Sequence, residues 1–93
     1  MLHRMDIPED TVADLQRRLR RIEGQGRGIH TMLGEQRDCR DVVTQISAAT
    51  RALEQTGFLL VAAGLSCCLA NPDASAAEGL GLDEVQKMFL KLS

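Results

Sequence analysis

Two stretches of this chain repeat apolar or small residues in alternating steps of three and four, and that pattern restricts the fold more than any other feature. The first runs Val12, Leu15, Leu19, Ile22, Gly26, Ile29, Leu33; the second runs Cys39, Val42, Ile46, Ala49, Leu53, Thr56, Leu60, Ala63, Cys67. Such steps keep a stripe on one side of a helix with 3.6 residues per turn. The spacing therefore predicts a first helix over about residues 8–35 and a second that stops before Asn71-Pro72. Asp6 is the expected cap of the first, with Pro8 in its first turn, Glu9 and Asp10 beside its positive end and Gly34 near its far end. Asp38 is the expected cap of the second. Residues 71–81 are turn-rich and small and read as a linker to a short last helix, capped by Asp83 and carrying Val85, Met88, Phe89 and Leu92. Residues 1–7 read as a flexible N-terminus. No strand signal or internal repeat appears. The core must be aliphatic, because the chain has two Phe and no Trp or Tyr.

The expected fold class is all-α, a three-helix protomer forming one domain over residues 1–93. Helices of nearly thirty residues are about 40 Å long, and a chain this small cannot cover both apolar seams alone. The expectation is a homodimer, two hairpins making an antiparallel four-helix bundle. Gly24, Gly26 and Gly28 interrupt the first helix at up to ~1 kcal/mol each relative to Ala, for which close helix approach is the expected compensation. Their GxGxG spacing, inside a helical pattern with no preceding strand, excludes a dinucleotide loop.

The net charge of −2 hides a division. Residues 1–16 and 52–93 each carry −3, while residues 17–51 carry +4. Every base of that middle third is Arg, whose planar fork suits phosphate. One reading is a solvated helix face; the other is a phosphate-binding surface. The longest apolar run is too short for a membrane span, and no basic segment followed by an apolar stretch opens the sequence. A reducing cytoplasm is thus the expected location, where three cysteines make no disulfide framework.

Cys39 and Cys68 lie 29 positions apart on one expected helix, hence about 43 Å apart. No ligand bridges that distance within a chain. In an antiparallel dimer whose second helices cross near Leu53 and Glu54, Cys39 of one chain falls beside Cys68 of the other, giving two identical thiol pairs. Cys67 projects about 100° away from Cys68 and is an accessory thiol at most. All three can be small buried hydrophobes. A thiol pair without histidine instead suits Cu(I), or oxidation and sulfur transfer. His3 and His30, the two histidines, are placed at the terminus and on the first helix's surface.

The stretch RRLRRIEGQGRGIHTMLGEQRDCRDVVTQISAA resembles the copper-sensing repressor family, the CsoR/RcnR/FrmR group of bacterial transcriptional repressors. Two motifs carry the resemblance: R-L-x-R-I-x-G-Q at Arg18, Leu19, Arg21, Ile22, Gly24 and Gln25, and C-x-D-V-x-x-Q-I from Cys39 to Ile46. It extends from about Leu15 to Leu69, and more loosely through the last helix. The resemblance implies a dimer of dimers, a homotetramer, that binds operator double-stranded DNA without a helix-turn-helix, using Arg18, Arg21, Gln25 and Arg51. Arg17 and Arg20 would assist at phosphates. An inducer at the interprotomer thiol site would release the DNA.

Copper-sensing members place a His four residues before the second Cys, where this chain has Gly64, and often a Tyr before the first, where it has Asp38. The nickel and cobalt sensors' several histidines and the formaldehyde sensors' N-terminal proline are also missing. The two-cysteine pattern and the Asp38-Cys39-Arg40-Asp41-Val42 block are most similar to the persulfide-sensing, CstR-type branch. The resulting expectation is a repressor, not an enzyme, with no required cofactor and no membrane partner, which releases DNA when a small sulfur-containing inducer links Cys39 and Cys68 across the dimer. The alternative is a Cu(I)-responsive repressor with Cys39 and Cys68 as metal ligands, in a two-sulfur site or, with Cys67, a three-sulfur one. Glu84 matches a family acid placed in the ligand-linked network of copper members. A helical adaptor acting through its seams is a further reading; an enzyme is disfavoured, because no Ser-His-Asp set or carboxylate dyad is evident.

Overall fold

The computed structural model describes residues 7–70, 73, 77, 79 and 81–92, and for Cys67 and Cys68 the helical backbone only. Three helices, α1 (Glu9–Gly34), α2 (Cys39–Ala70) and α3 (Leu82–Leu92), follow one another, and no strand occurs among the described residues. The helical periodicities therefore translate directly into helices. α1 and α2 form a hairpin, and α3 returns onto α2.

The helix ends follow from particular side chains. Pro8, rather than a residue inside the first turn, occupies the cap position of α1: its ψ of 145° is non-helical, and its carbonyl accepts the Val12 N–H at 3.1 Å. Its ring makes no side-chain cap bond; Asp6 lies outside the described residues. Glu9 and Asp10 sit in the first turn, where carboxylates meet the positive end of the dipole. At the other end Gly34 is still helical, and the left-handed residue is Gln36, with φ 56°. The Arg37 N–H bonds to the Met32 carbonyl at 3.0 Å and the Gln36 N–H to Leu33 at 3.2 Å. These are the two bonds of a Schellman cap, with Gln where glycine is usual. Asp38 caps α2 as expected: its Oδ1 accepts the Arg40 backbone N–H at 2.8 Å and its carbonyl the Val42 N–H at 3.1 Å.

Within the expected linker, Asp73 and Ala77 are helical and Gly79 turns with φ 80°; its other positions up to Leu80 lie outside the described residues. α3 begins at Leu82, with the Gly81 carbonyl accepting the Val85 N–H at 3.1 Å. Asp83 is thus in the first turn beside Glu84 and is not the cap. Val85 and Val61 are buried, with Met88 and Leu92 packed against them. The Phe58 and Phe89 rings meet at 5.3 Å, tilted by 50°. Gly57 lets α3 this close: the position a Cβ would take is 2.9 Å from a Leu92 methyl.

Only half of each long seam is covered. On α1, Leu15 is buried and Ile22, Ile29 and Met32 half-buried, while Val12, Leu19 and Leu33 are 38%, 46% and 62% exposed. On α2, Val42 and Thr56 are buried while Ile46, Leu53 and Leu60 are exposed. The exposed members recur every seven residues, so each helix keeps a second apolar stripe beside the one that closes the hairpin. A helix has two flanks, and the hairpin supplies a neighbour for one.

Candidate functional site

The arginines of α1 fall into two groups. Asp14 accepts a hydrogen bond from the Arg18 Nε at 3.0 Å and lies 3.5 Å from the Arg17 guanidinium. The Arg18 bond, reinforced by the charges of both arginines, holds the Asp14 carboxyl below its usual range. Arg27 pairs more loosely with Glu23, at 3.9 Å. Arg20, Arg21 and Arg51 are exposed and make no ion pair among the described residues. The free guanidinium groups therefore come from both long helices, whereas Arg17 and Arg18 are held along α1. Sequence reasoning counted Asp14 only in an acidic N-terminal third; its spacing of three and four from Arg17 and Arg18 carried the signal.

Gln25 stands apart from them. It is half-buried, and its Oε1 is buried with no hydrogen-bond partner among the described residues. A buried unpaired carbonyl costs about 1–3 kcal/mol. The neighbouring glycines depart from the expectation of close helix approach. A Cβ at Gly26 or Gly28 would meet nothing within 4 Å, and at Gly24 only the end of the Arg27 side chain at 4.0 Å. Their cost is not offset by packing inside the protomer, because they lie away from the face that closes on α2.

Cys39 is the first residue of α2, exposed and with a free thiol. Its flanking charges are already engaged: the Arg40 side chain reaches back to Asp38, Nη2 to Oδ2 at 3.3 Å. That contact, with the Arg40 backbone N–H, holds the Asp38 carboxyl below its usual range. Cys67 and Cys68 lie in the last turn of the same uninterrupted helix. A rise of 1.5 Å per residue puts the Cys39 and Cys68 backbones about 43 Å apart, so α2 does not fold them together. Gly64 is buried.

No group of three His, Cys, Asp or Glu that could hold a metal exists among the described residues. His30 is exposed on α1, and Glu84 pairs with Lys87 at 3.3 Å. A groove of about 420 Å³ between α2 and α3 is lined by apolar side chains, among them Phe58, Val61, Leu65, Val85 and Phe89, with Gln86 as its polar member, and holds no charged group. No helix among the described residues is long and apolar enough to cross a membrane.

Comparison with known proteins gives a consistent picture. The profile of a family described as metal-sensitive transcriptional repressor matches residues 11–91. Over 63 residues the chain is 46% identical to the copper-sensing transcriptional repressor RicR of Mycobacterium tuberculosis, covering 68% of this chain and 66% of that protein, just under two thirds. Over 91 residues it is 31% identical to the copper-sensing transcriptional repressor CsoR of Bacillus subtilis, covering 98% of this chain and 87% of that one. The crystal structure of the copper-sensing repressor CsoR with Cu(I) from Geobacillus thermodenitrificans matches with a TM-score of 0.80 at 32% identity, over 98% of this chain and 97% of that chain.

Proposed function

The chain belongs to the family of metal-sensitive transcriptional repressors, and from that premise we propose that it binds operator DNA and releases it when Cu(I) occupies a site made by Cys39 of one protomer and Cys68 of its partner. The observation that carries this reading is the continuity of α2: one unbroken helix keeps the two cysteines at opposite ends, so a site using both needs two antiparallel chains. The exposed stripe of Ile46, Leu53 and Leu60 supplies the surface for such a pairing. Its midpoint, Leu53, is also the midpoint between the cysteines. Two such hairpins form a four-helix bundle, and pairing of bundles gives the tetramer.

The donor set fits the metal. Thiolates are soft ligands that select Cu(I), and Cys39 is exposed and unpaired. Gly64 offers no ligand, so Cys67 is the further sulfur within reach of the second site residue in sequence. Similarity to copper-sensing repressors supports Cu(I) as the inducer. On the DNA side, Arg20, Arg21 and Arg51 present unpaired guanidinium groups, Arg17 and Arg18 add two more once freed from Asp14, and Gln25 marks the α1 face toward α2. Phosphate contacts of this kind position a protein on the duplex without encoding a sequence. Binding at the thiols changes DNA affinity only through its preference for one arrangement of the paired α2 helices.

A second reading keeps the same two thiols and replaces the inducer, and the missing side chain at Gly64 favours it. The Cys39 thiolate attacks a persulfide and takes its outer sulfur, expelling a thiolate; the partner's Cys68 then attacks the Cys39 sulfur, forming a disulfide and expelling hydrosulfide. The persulfide is the oxidant and is reduced to thiol and sulfide. Anaerobic titration with Cu(I), and separately with glutathione persulfide, against a duplex selected by the protein from a random pool, decides between them. The copper reading expects Cu(I) to release the duplex and Cys39→Ser or Cys68→Ser to abolish release while binding persists. Release by persulfide alone, with a Cys39–Cys68 cross-link in intact-mass spectra, overturns copper. Release unaffected by either substitution overturns both.

A further inference from the structure

Asp14 holds two of the five arginines of α1 at once, one through a hydrogen bond at 3.0 Å and one at 3.5 Å. Its carboxylate occupies the same guanidinium donors that a DNA phosphate would take, Nε and Nη being the fork that recognises either anion. The two arginines differ from Arg20, Arg21 and Arg51, which have no carboxylate to displace among the described residues. Arg18 is also the most enclosed of the paired bases, its side chain 37% exposed against 70% for Arg17. The acid stands N-terminal to its bases at spacings of three and four, the favourable order along a helix, so the arginines are biased toward the carboxylate before any phosphate arrives.

Resting on the repressor reading, we propose that Asp14 is a built-in competitor of the operator phosphates, holding Arg17 and Arg18 off the duplex and so limiting DNA affinity. Random duplex then meets chiefly the unpaired arginines, and only a duplex already positioned by Arg20, Arg21 and Arg51 displaces the carboxylate. The physical basis is exchange of one anion for another. An arginine that starts paired releases less in net attraction than a free one.

The test uses the full chain and a duplex selected from a random pool, with affinity measured across a salt series for wild type, Asp14→Asn and Asp14→Glu. Asp14→Asn is expected to tighten binding and to steepen the dependence of log affinity on log salt by about 0.9 for each arginine freed. One such arginine makes the gain about eightfold larger at about 0.1 M than at about 1 M salt. Asp14→Glu, which keeps a carboxylate within reach of both bases, is expected to bind like wild type. In a background of Arg17→Gln with Arg18→Gln the effect of Asp14→Asn should vanish. Binding by wild type with no change in Asp14→Asn overturns the competitor role alone, as does a gain that persists in the double-glutamine background. No duplex selected by wild type overturns the repressor reading and this inference with it.

Discussion

Replacing Leu53 with Lys probes the geometry on which the inducer site depends. Leu53 is 52% exposed in the protomer, on a stripe with Ile46 at 46% and Leu60 at 40%. Full burial of a Leu is worth about 1.5–3 kcal/mol, so roughly half of that, ~1 kcal/mol per protomer and ~2 kcal/mol per dimer, is still to be gained there. Where two antiparallel helices cross, each Leu53 lies near its own copy, and Lys at that point brings two ammonium groups together. Part of that penalty is relieved by extension of the Lys stems toward solvent, leaving ~2 kcal/mol as a moderate figure for desolvation and repulsion. The total, ~4 kcal/mol, weakens dimerisation about 1000-fold. Lys and Leu have similar helix propensity, so helicity within α2 is not the variable. Sedimentation equilibrium over about three decades of concentration reads the shift. Leu53→Met, apolar and of similar volume, should keep the wild-type mass. A Leu53→Lys protein that sediments as wild type throughout that range refutes the crossing point, and with it the meeting of Cys39 and Cys68.

Gln36→Gly is expected to stabilise the hairpin, because Gln36 holds φ 56° in the α1 cap: an L residue pays ~1–2 kcal/mol there, offset by ~0.5–1 kcal/mol of glycine's extra unfolded-state freedom, and thermal unfolding checks the net gain. A lower melting temperature contradicts it. The Asp38 carboxyl is held below its usual 3.8 by Arg40, so its contribution is fully present above that value and is lost as pH falls through the lowered one. Asp38→Asn keeps a good cap and should therefore flatten the acid limb of the stability profile below about pH 3.8 while changing little at neutral pH. An unchanged acid limb would assign that loss to other carboxylates.

The extent of the fold was legible in sequence because helical periodicity is a local property. Apolar spacing located α1 and α2, and the Asp38 cap followed from the side-chain oxygen's reach to the N–H two residues on. Cap details that depend on φ were harder to read: Gly34 looked like the stop of α1, yet the left-handed turn falls on Gln36, and Asp83 looked like a cap where the Gly81 carbonyl serves. The arginines were visible as a charge excess, but their pairing with Asp14 is a matter of rotamer and neighbour. The glycines of α1 were read as a close-packed face, whereas their Cβ positions meet open space at Gly26 and Gly28.

Sequence alone determined that this protein is made of helices, which residues form their apolar stripes, and that Cys39 and Cys68 sit too far apart on one helix to meet. Tertiary structure decided which flank of each stripe is covered, turning Leu15, Ile22 and Val42 inward while leaving Leu19, Leu53 and Leu60 exposed. The physical reason is that a helix repeats its side chains every 3.6 residues whatever surrounds it, while the side chosen for burial depends on where the turn at Gln36 sends the next helix and on Gly57 admitting α3.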